Sequence, residues 1–454
     1  MIIKVKEYGA AGNGKSDDTL SIQKAIDDCE TAGGGRVVLS DGNFISGTII
    51  LKSHVYLEIT EGAVLTASKD IEDYKENTHY NRYRNEPELD RCFIYAQDAC
   101  DIGICGNGMI YGSAESFPNK NSIYRPMMIR FLRCSDIHIS DIKLYHAAAW
   151  TTAFLDCSLI WVRCVDIFND KRYNGDGLDF DGCSHVYVSD CRIQGTDDNL
   201  CLQSSSKEYP VSDVHVTNCT FTSLCAGIRI GLKSIGKISD VVISNCTMYN
   251  VWREGIKIEC SEGGYIGNIS INNIQMRNVT RPIFILLNNR FEPEDLGSSI
   301  ELTEMPEIGT LENISISNVS VVDEEEMKNI HYRFQNDIMG RPQFAGIRMD
   351  ANEKHPINNV RMTHLFYRFI GGVKKHEIPN CYPEVVDKLE DKDKKGSENY
   401  YPDWSRAAFM DIRNVKNLVL DNVYLEISEP DERPNVLLDG CLIVKKDIII
   451  SCEK

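Results

Sequence analysis

Five aspartates stand close together in the chain: Asp176, Asp179, Asp181, Asp197 and Asp198. Carboxyl groups held near one another raise each other's pKa, because each negative charge disfavours the next. One can then stay protonated while its neighbour is ionised, the division that general acid and base catalysis needs. A single aspartate is more simply a turn former. Asp176, Asp197 and Asp198 are different, because each stands just ahead of an apolar strand and basic residues follow at the same spacing. They are the candidate catalytic set. Asp179 and Asp181 suit binding or orientation.

The strands behind them align on an apolar pair: Gly177-Leu-Asp-Phe-Asp181, Asn199-Leu-Cys-Leu-Gln203, Gly227-Ile-Arg-Ile-Gly231 and Gly255-Ile-Lys-Ile-Glu259, at offsets of 22, 28 and 28. Side chains alternate faces along a strand. Leu178, Phe180, Leu200, Leu202, Ile228, Ile230, Ile256 and Ile258 then point inward. Asp179, Asp181, Cys201, Gln203, Arg229, Lys257 and Glu259 point outward. Arg229, Lys257, Glu259, Asp179 and Gln203 are candidate substrate contacts. For Arg229 and Lys257 an equal alternative is neutralisation of the aspartates.

These strands belong to a wider repeat. Ser135-Asp-Ile-His-Ile-Ser-Asp-Ile142 returns as Ser184-His-Val-Tyr-Val-Ser-Asp-Cys191, Ser212-Asp-Val-His-Val-Thr-Asn-Cys219 and Ser239-Asp-Val-Val-Ile-Ser-Asn-Cys246, then at 267–274, 312–319 and 416–423. The phrase alternates apolar and polar residues, a strand period, and no amphipathic helix separates the copies. A strand of this kind every 22 to 28 residues predicts a solenoid of stacked parallel strands, with coils about 4.8 Å apart. The Asn and Asp near each phrase's end, at Asp190, Asn218, Asn245 and Asn273, predict hydrogen-bonded ladders. Their Asn-x-Ser/Thr triplets are read as ladder turns rather than glycosylation sites.

Ser16-Asp-Asp-Thr-Leu-Ser-Ile-Gln-Lys-Ala-Ile-Asp-Asp-Cys29 predicts a short helix capping the N-terminal end, with Gly33-Gly-Gly-Arg-Val-Val-Leu turning into a strand. One β-helix domain over 1–454 is expected, with excursion loops at about 320–346 and 372–405. The formal net charge is −18, which argues against a nucleic-acid partner. Seventeen cysteines, an odd number, without an apolar leader, fit a soluble protein in a reducing cytoplasm. No cofactor, metal or membrane partner is expected, and nothing marks an oligomer face.

The chain resembles glycoside hydrolase family 28, the polygalacturonase family, whose fold is a right-handed parallel β-helix. Glu7-Tyr-Gly-Ala-Ala-Gly-Asn-Gly-Lys-Ser-Asp-Asp-Thr19 is similar to that superfamily's opening. Asn174-Gly-Asp-Gly177 resembles its Asn-Thr-Asp-Gly motif with Gly175 for Thr, and Gly195-Thr-Asp-Asp198 its paired-Asp motif. The resemblance implies a glycosidase that works by acid–base hydrolysis with inversion, Asp197 being the acid and Asp176 and Asp198 holding the water. Trp150 resembles the family's aromatic one coil below, placed to stack on a sugar or to pack in the interior.

Three positions depart from the family. Ala226 stands in place of its histidine, Lys257-Ile-Glu259 in place of Arg-Ile-Lys, and Arg229 in place of a small residue. A carboxylate at 259 would repel a uronate, so ordinary polygalacturonate is expected to be a poor substrate. Glu259 would then bind hydroxyls of a neutral or differently placed sugar, unless it pairs with Lys257 or Arg229. The expected substrate is a pectin-derived oligosaccharide or related small glycoside, cut from an end. A calcium-dependent uronide lyase and a non-catalytic carbohydrate-binding β-helix are the alternatives.

Overall fold

The computed structural model describes residues 1–75, 90–119, 123–298, 301–329, 333–334, 337–338, 343, 345–377 and 405–452. Contacts group the chain into two compact units. The first is built on Met1–Leu200 and Val211–Cys219, the second on Cys201–Pro210, Thr220–Gly297 and Glu301–Lys454.

In the first unit each coil has three short strands. One coil runs Met127–Leu132, Ser135–Ser140 and Lys143–Tyr145; the next runs Thr152–Leu155, Ser158–Arg163 and Asp166–Phe168. Each strand pairs in parallel with its counterpart one coil on, as Phe131 with Phe154 and Phe154 with Phe180. The repeated phrase is the middle strand, and Ser135–Ser140, Ser158–Arg163, Ser184–Ser189 and Ser212–Thr217 stack in register. Inward side chains stack on their own kind; the Phe154 and Phe180 rings lie 5.0 Å apart and nearly parallel. Outward rings do the same on the middle strand. His138, Trp161, Tyr187 and His215 form a column with centroids 4.7, 5.8 and 5.3 Å apart. Two of the chain's histidines, His138 and His215, thus go to a surface stack, and His185 together with His215 bonds Asp213 and holds its carboxyl down at about 2.

The predicted helix forms at Thr19–Thr31, with Ile22, Ala25, Ile26 and Cys29 buried. Asp18 precedes it, but its carboxylate turns back to accept from Ala11 N at 2.6 Å and Gly12 N at 3.0 Å. Asp17 accepts from Thr19 N instead. Gly35–Leu39 follows as a strand, and a Cβ at Gly35 would meet the Met1 carbonyl at 2.2 Å.

In the second unit the strands merge into long bent runs, Lys237–Cys260, Tyr265–Leu287, Thr310–Val322, Ile357–Gly371 and Val415–Glu429. The expected ladders are present. In the first unit Asn218 donates to Asp190, and in the second Asn273 donates to Asn245, at 3.3 and 2.6 Å. A second ladder, which the sequence reading did not anticipate, joins Asp240, Asn268, Asn313, Asn359 and Asn417. All of these residues have φ between 52° and 59°. Asn and Asp tolerate that left-handed conformation better than other side chains, which is why they recur there. Fifteen cysteines among the described residues are free thiols.

Of the expected excursions, 320–329 continues the strand to Val322 and then turns through Glu325–Asn329. Much of the rest of the first lies outside the described residues. So does 378–404, nearly all of the second, including its mixed-charge run.

Within the first excursion, Asp323 is buried, and its carboxyl is pushed up to about 8 by desolvation. Ile370 N reaches it at 3.4 Å. The native state therefore keeps a proton that the unfolded chain releases near pH 4. Stability contributed by this group is full below about pH 4, falls as pH rises towards 8, and is then exhausted. Asp323→Asn should remove that slope. Urea unfolding at pH 8.5 should show the variant about 2 kcal/mol or more above the parent, with the gap shrinking steadily towards pH 5 and closing below about pH 4. An equal gap at both pH values would contradict the assignment.

Candidate active site

The two acidic motifs are joined through the backbone. Gly177 N donates to the Asp198 carbonyl and Leu178 N to the Asn199 carbonyl, both at 2.9 Å. A Cβ at Gly177 would meet the Asn199 carbonyl at 2.2 Å, so only glycine permits this approach. Ahead of it, Gly175 N donates to Thr196 Oγ1 at 2.9 Å and receives Thr196 N on its carbonyl at 3.2 Å. A Cβ at 175 would lie 2.6 Å from Thr196 Oγ1 and 2.9 Å from Asn169 Cβ. That crowding accounts for glycine where the resembling motif carries threonine.

Asp176, Asp197 and Asp198 are thereby brought to neighbouring turns, and all three are buried, as are Asp179 and Asp181. Asp197 and Asp198 each present a carboxylate oxygen within 4.8 Å of the other. Asp198 N donates to Asp197 Oδ1 at 3.0 Å, and Asn174 Nδ2 to Asp197 Oδ2 at 3.4 Å. Asp179 and Asp181 stand opposite Ala153 and Leu155 on the paired strand. Desolvation and close like charges are both conditions that separate the acidities of neighbouring carboxyl groups. Chemically, the arrangement suits shuttling a proton to and from a bound oxygen.

Trp150 is half-buried and packs against the cluster of Cys92, Tyr95, Met127, Ala149 and Ala153.

The second unit carries the cations. Arg229 pairs with Lys257 across adjacent strands, as Gly231 does with Glu259. The inward residues Ile228, Ile230, Ile256 and Ile258 are fully buried, as the alternation requires. Glu259 is covered completely, and its Oε2 lies 3.3 Å from Arg229 Nε and 3.6 Å from Lys257 Nζ. These are the contacts of the pairing alternative. They remove the premise of the expected repulsion, because the carboxylate is already matched by two cations. Lys257 also lies 3.4 Å from Glu254, which in turn meets Arg253 at 3.6 Å and Arg281 at 3.3 Å. The group thus holds four cations on two carboxylates, nearly all of it out of water.

Gln203 Nε2 lies 3.0 Å from Cys201 Sγ. Ala226, in the place of the family histidine, is buried, and Cys225 beside it receives Arg253 Nη1 at 3.7 Å.

The sequence reading missed Glu254, Arg253 and Arg281. A signal was there: Glu254 immediately precedes its aligned Gly255, as Asp176 precedes Gly177. It also missed Asn174 and Arg125 behind Asp176, and Arg125 has no spacing to give it away.

The sequence matches the family model of Glycosyl hydrolases family 28 over residues 62–337, more than half of the chain. That of Rhamnogalacturonase A/epimerase, pectate lyase-like, matches residues 2–85. A probable polygalacturonase of Vitis vinifera is 27% identical over 294 residues, 60% of this chain and 60% of that one. An exo-poly-alpha-D-galacturonosidase of Dickeya chrysanthemi is 22% identical over 380 residues, 71% of this chain and 62% of that one. The chain thus spans about three fifths of the length of such curated relatives. Among solved structures, the hyperthermoactive exopolygalacturonase of Thermotoga maritima has a TM-score of 0.64 at 19% identity, covering 81% of this chain and 87% of its own. That likeness is one of fold: a right-handed parallel β-helix.

Proposed function

Since this chain belongs to glycosyl hydrolases family 28, we propose that it hydrolyses galacturonide linkages in a pectin-derived oligosaccharide, from a chain end and with inversion. One observation carries the proposal: Asp176, Asp197 and Asp198 are buried on turns that Gly175 and Gly177 lock together. In this reading Asp197 protonates the leaving oxygen, and Asp176 and Asp198 direct water to the opposite face of the sugar. Arg229 and Lys257 serve as contacts for a uronate carboxylate, the role that the family gives to basic residues on these strands. End-on action follows the exo-acting relative and suits an enzyme that meets short oligosaccharides.

The test is a screen of short galacturonides, rhamnogalacturonides and neutral aryl glycosides, with products followed by NMR. Release of a monosaccharide whose first anomer is opposite to the linkage cleaved is expected, with no loss in a chelator. An unsaturated uronide product that requires calcium would replace the hydrolase by a lyase. Rapid viscosity loss from long pectin would replace end-on by internal cleavage.

A further inference from the structure

Behind the first acidic turn stands an arginine with no access to solvent, Arg125. Its Nε donates to the Ala148 carbonyl at 2.7 Å, its Nη1 to Asn174 Oδ1 at 3.2 Å, and its Nη2 to the Tyr173 carbonyl. A guanidinium has donors and no acceptor. Only the oxygen end of the Asn174 amide can face it. The nitrogen end is then committed to the other side, where it donates to Asp197 Oδ2 at 3.4 Å. The choice between the two amide orientations, elsewhere open, is closed here by the arginine.

The consequence falls on Asp197. The terminal torsion of an aspartate is broad, so its carboxyl group swings unless both oxygens are held. Asp198 N holds Oδ1 and Asn174 Nδ2 holds Oδ2. We propose that Arg125 is a positioning residue for the reaction: through the Asn174 amide it fixes the rotation of the Asp197 carboxyl group. Asn174 accepts this duty in a left-handed conformation, φ 54°, which asparagine tolerates.

Arg125 also holds the backbone of the turn at the Tyr173 carbonyl, but the turn has further supports of its own. Gly175 and Thr196 exchange two hydrogen bonds, Arg172 Nε holds the Phe117 carbonyl at 2.6 Å, and Asn169 Nδ2 bonds Thr151 Oγ1 at 2.7 Å. Loss of the Arg125–Asn174 bond should therefore free a carboxyl group rather than unravel a loop.

The kinetic part of this inference rests on the proposed hydrolase reading; the structural part does not, and the experiment separates them. Crystal structures of the parent, Arg125→Lys and Asn174→Ala are compared first. With lysine, the Asn174 amide should leave Asp197, or the Asp197 carboxyl group should rotate, while the backbone of 172–177 stays in place. An Asn174 amide still donating to an unrotated Asp197 in Arg125→Lys would overturn the inference, whatever the substrate proves to be. On a galacturonide that the parent cleaves, both variants should lose kcat by about 10- to 100-fold, the range that a displaced catalytic group costs. KM should stay within about threefold. The double variant should be no slower than the worse single one within about twofold, since both act along one path. Multiplying losses, or a change in KM alone, would reduce Arg125 to a structural role. A parent inactive on every galacturonide would defeat the hydrolase reading and leave the crystallographic result to decide the positioning role.

Discussion

Asp197→Asn should abolish hydrolysis, with kcat down by at least about 10³-fold and KM little changed. A general acid supplies roughly 10²- to 10⁴-fold, and an amide has no proton to give at any working pH. The substitution is nearly isosteric, and an amide oxygen can still accept from Asp198 N, which now reaches Asp197 Oδ1 at 3.0 Å. Stability should change little, because relief of one carboxyl group from a buried acidic group that includes Asp176 and Asp198 is offset by the new amide nitrogen facing the Asn174 Nδ2 donor. Circular dichroism and a thermal melt establish that the variant is folded, and product release on the parent's substrate gives the rate. A folded variant retaining more than about a tenth of the activity would remove Asp197 from the acid's role. Asp198→Asn and Asp176→Asn should be comparably slow; if only one of the three matters, the assignment of roles between acid and water-holding groups must be redrawn.

Much of the architecture was legible because the solenoid writes the same constraint into every coil. Ser184–Ser189 and Ser212–Thr217 are visible as copies, since of the left-handed positions at their flanks Asp190, Asp213 and Asn218 are Asp or Asn, and only His185 is not. Where the chain uses something else, the copy disappears from view. Ser158–Arg163 is as regular a rung as its neighbours, yet its left-handed positions are Leu159 and Cys164, at φ 55° and 54°. The rung at Asn358–Leu365 was hidden in the same way by His364, φ 55°. At the site, alternation correctly sorted Ile256 and Ile258 inward from Lys257 and Glu259 outward, because strand period alone decides it. Alternation does not say how deeply an outward residue is covered. Glu259 faces away from the coil's core and still has no solvent exposure. Nor does period reveal partners brought in from loops. Arg125 reaches Asn174 from far along the chain, and that meeting depends on the fold rather than on any local pattern.

That hidden depth reverses the expected outcome of the substitution which would restore the family's motif, Glu259→Lys. With Glu259 exposed and facing a substrate, lysine there would improve binding of a uronate. In the structure the new ammonium would instead occupy a sealed position. Arg229 stands 3.3 Å and Lys257 3.6 Å from the carboxylate it replaces. Two attractions become two repulsions, and a third buried cation is added with no counter-charge of its own. Removing one partner of a buried ion pair already costs about 3–5 kcal/mol, and reversing the charge should cost at least as much. That is a large part of a typical domain's 5–15 kcal/mol. Glu259→Lys should therefore unfold at much lower denaturant or fail to accumulate, and should not gain activity on galacturonides. Glu259→Gln, which keeps the shape and loses only the charge, should fall between the two. The sharper comparison is the double variant Arg229→Gly with Glu259→Lys. It deletes one cation from the crowded pair, leaves Lys257 its contact with Glu254 at 3.4 Å, and returns both departures to the family's pattern. It should recover a substantial part of the lost stability, measured by urea unfolding at one pH and ionic strength. If Glu259→Lys alone is as stable as the parent to within about 1 kcal/mol, the carboxylate is not held by Arg229 and Lys257, and repulsion of a uronate by Glu259 returns as the better account of this departure.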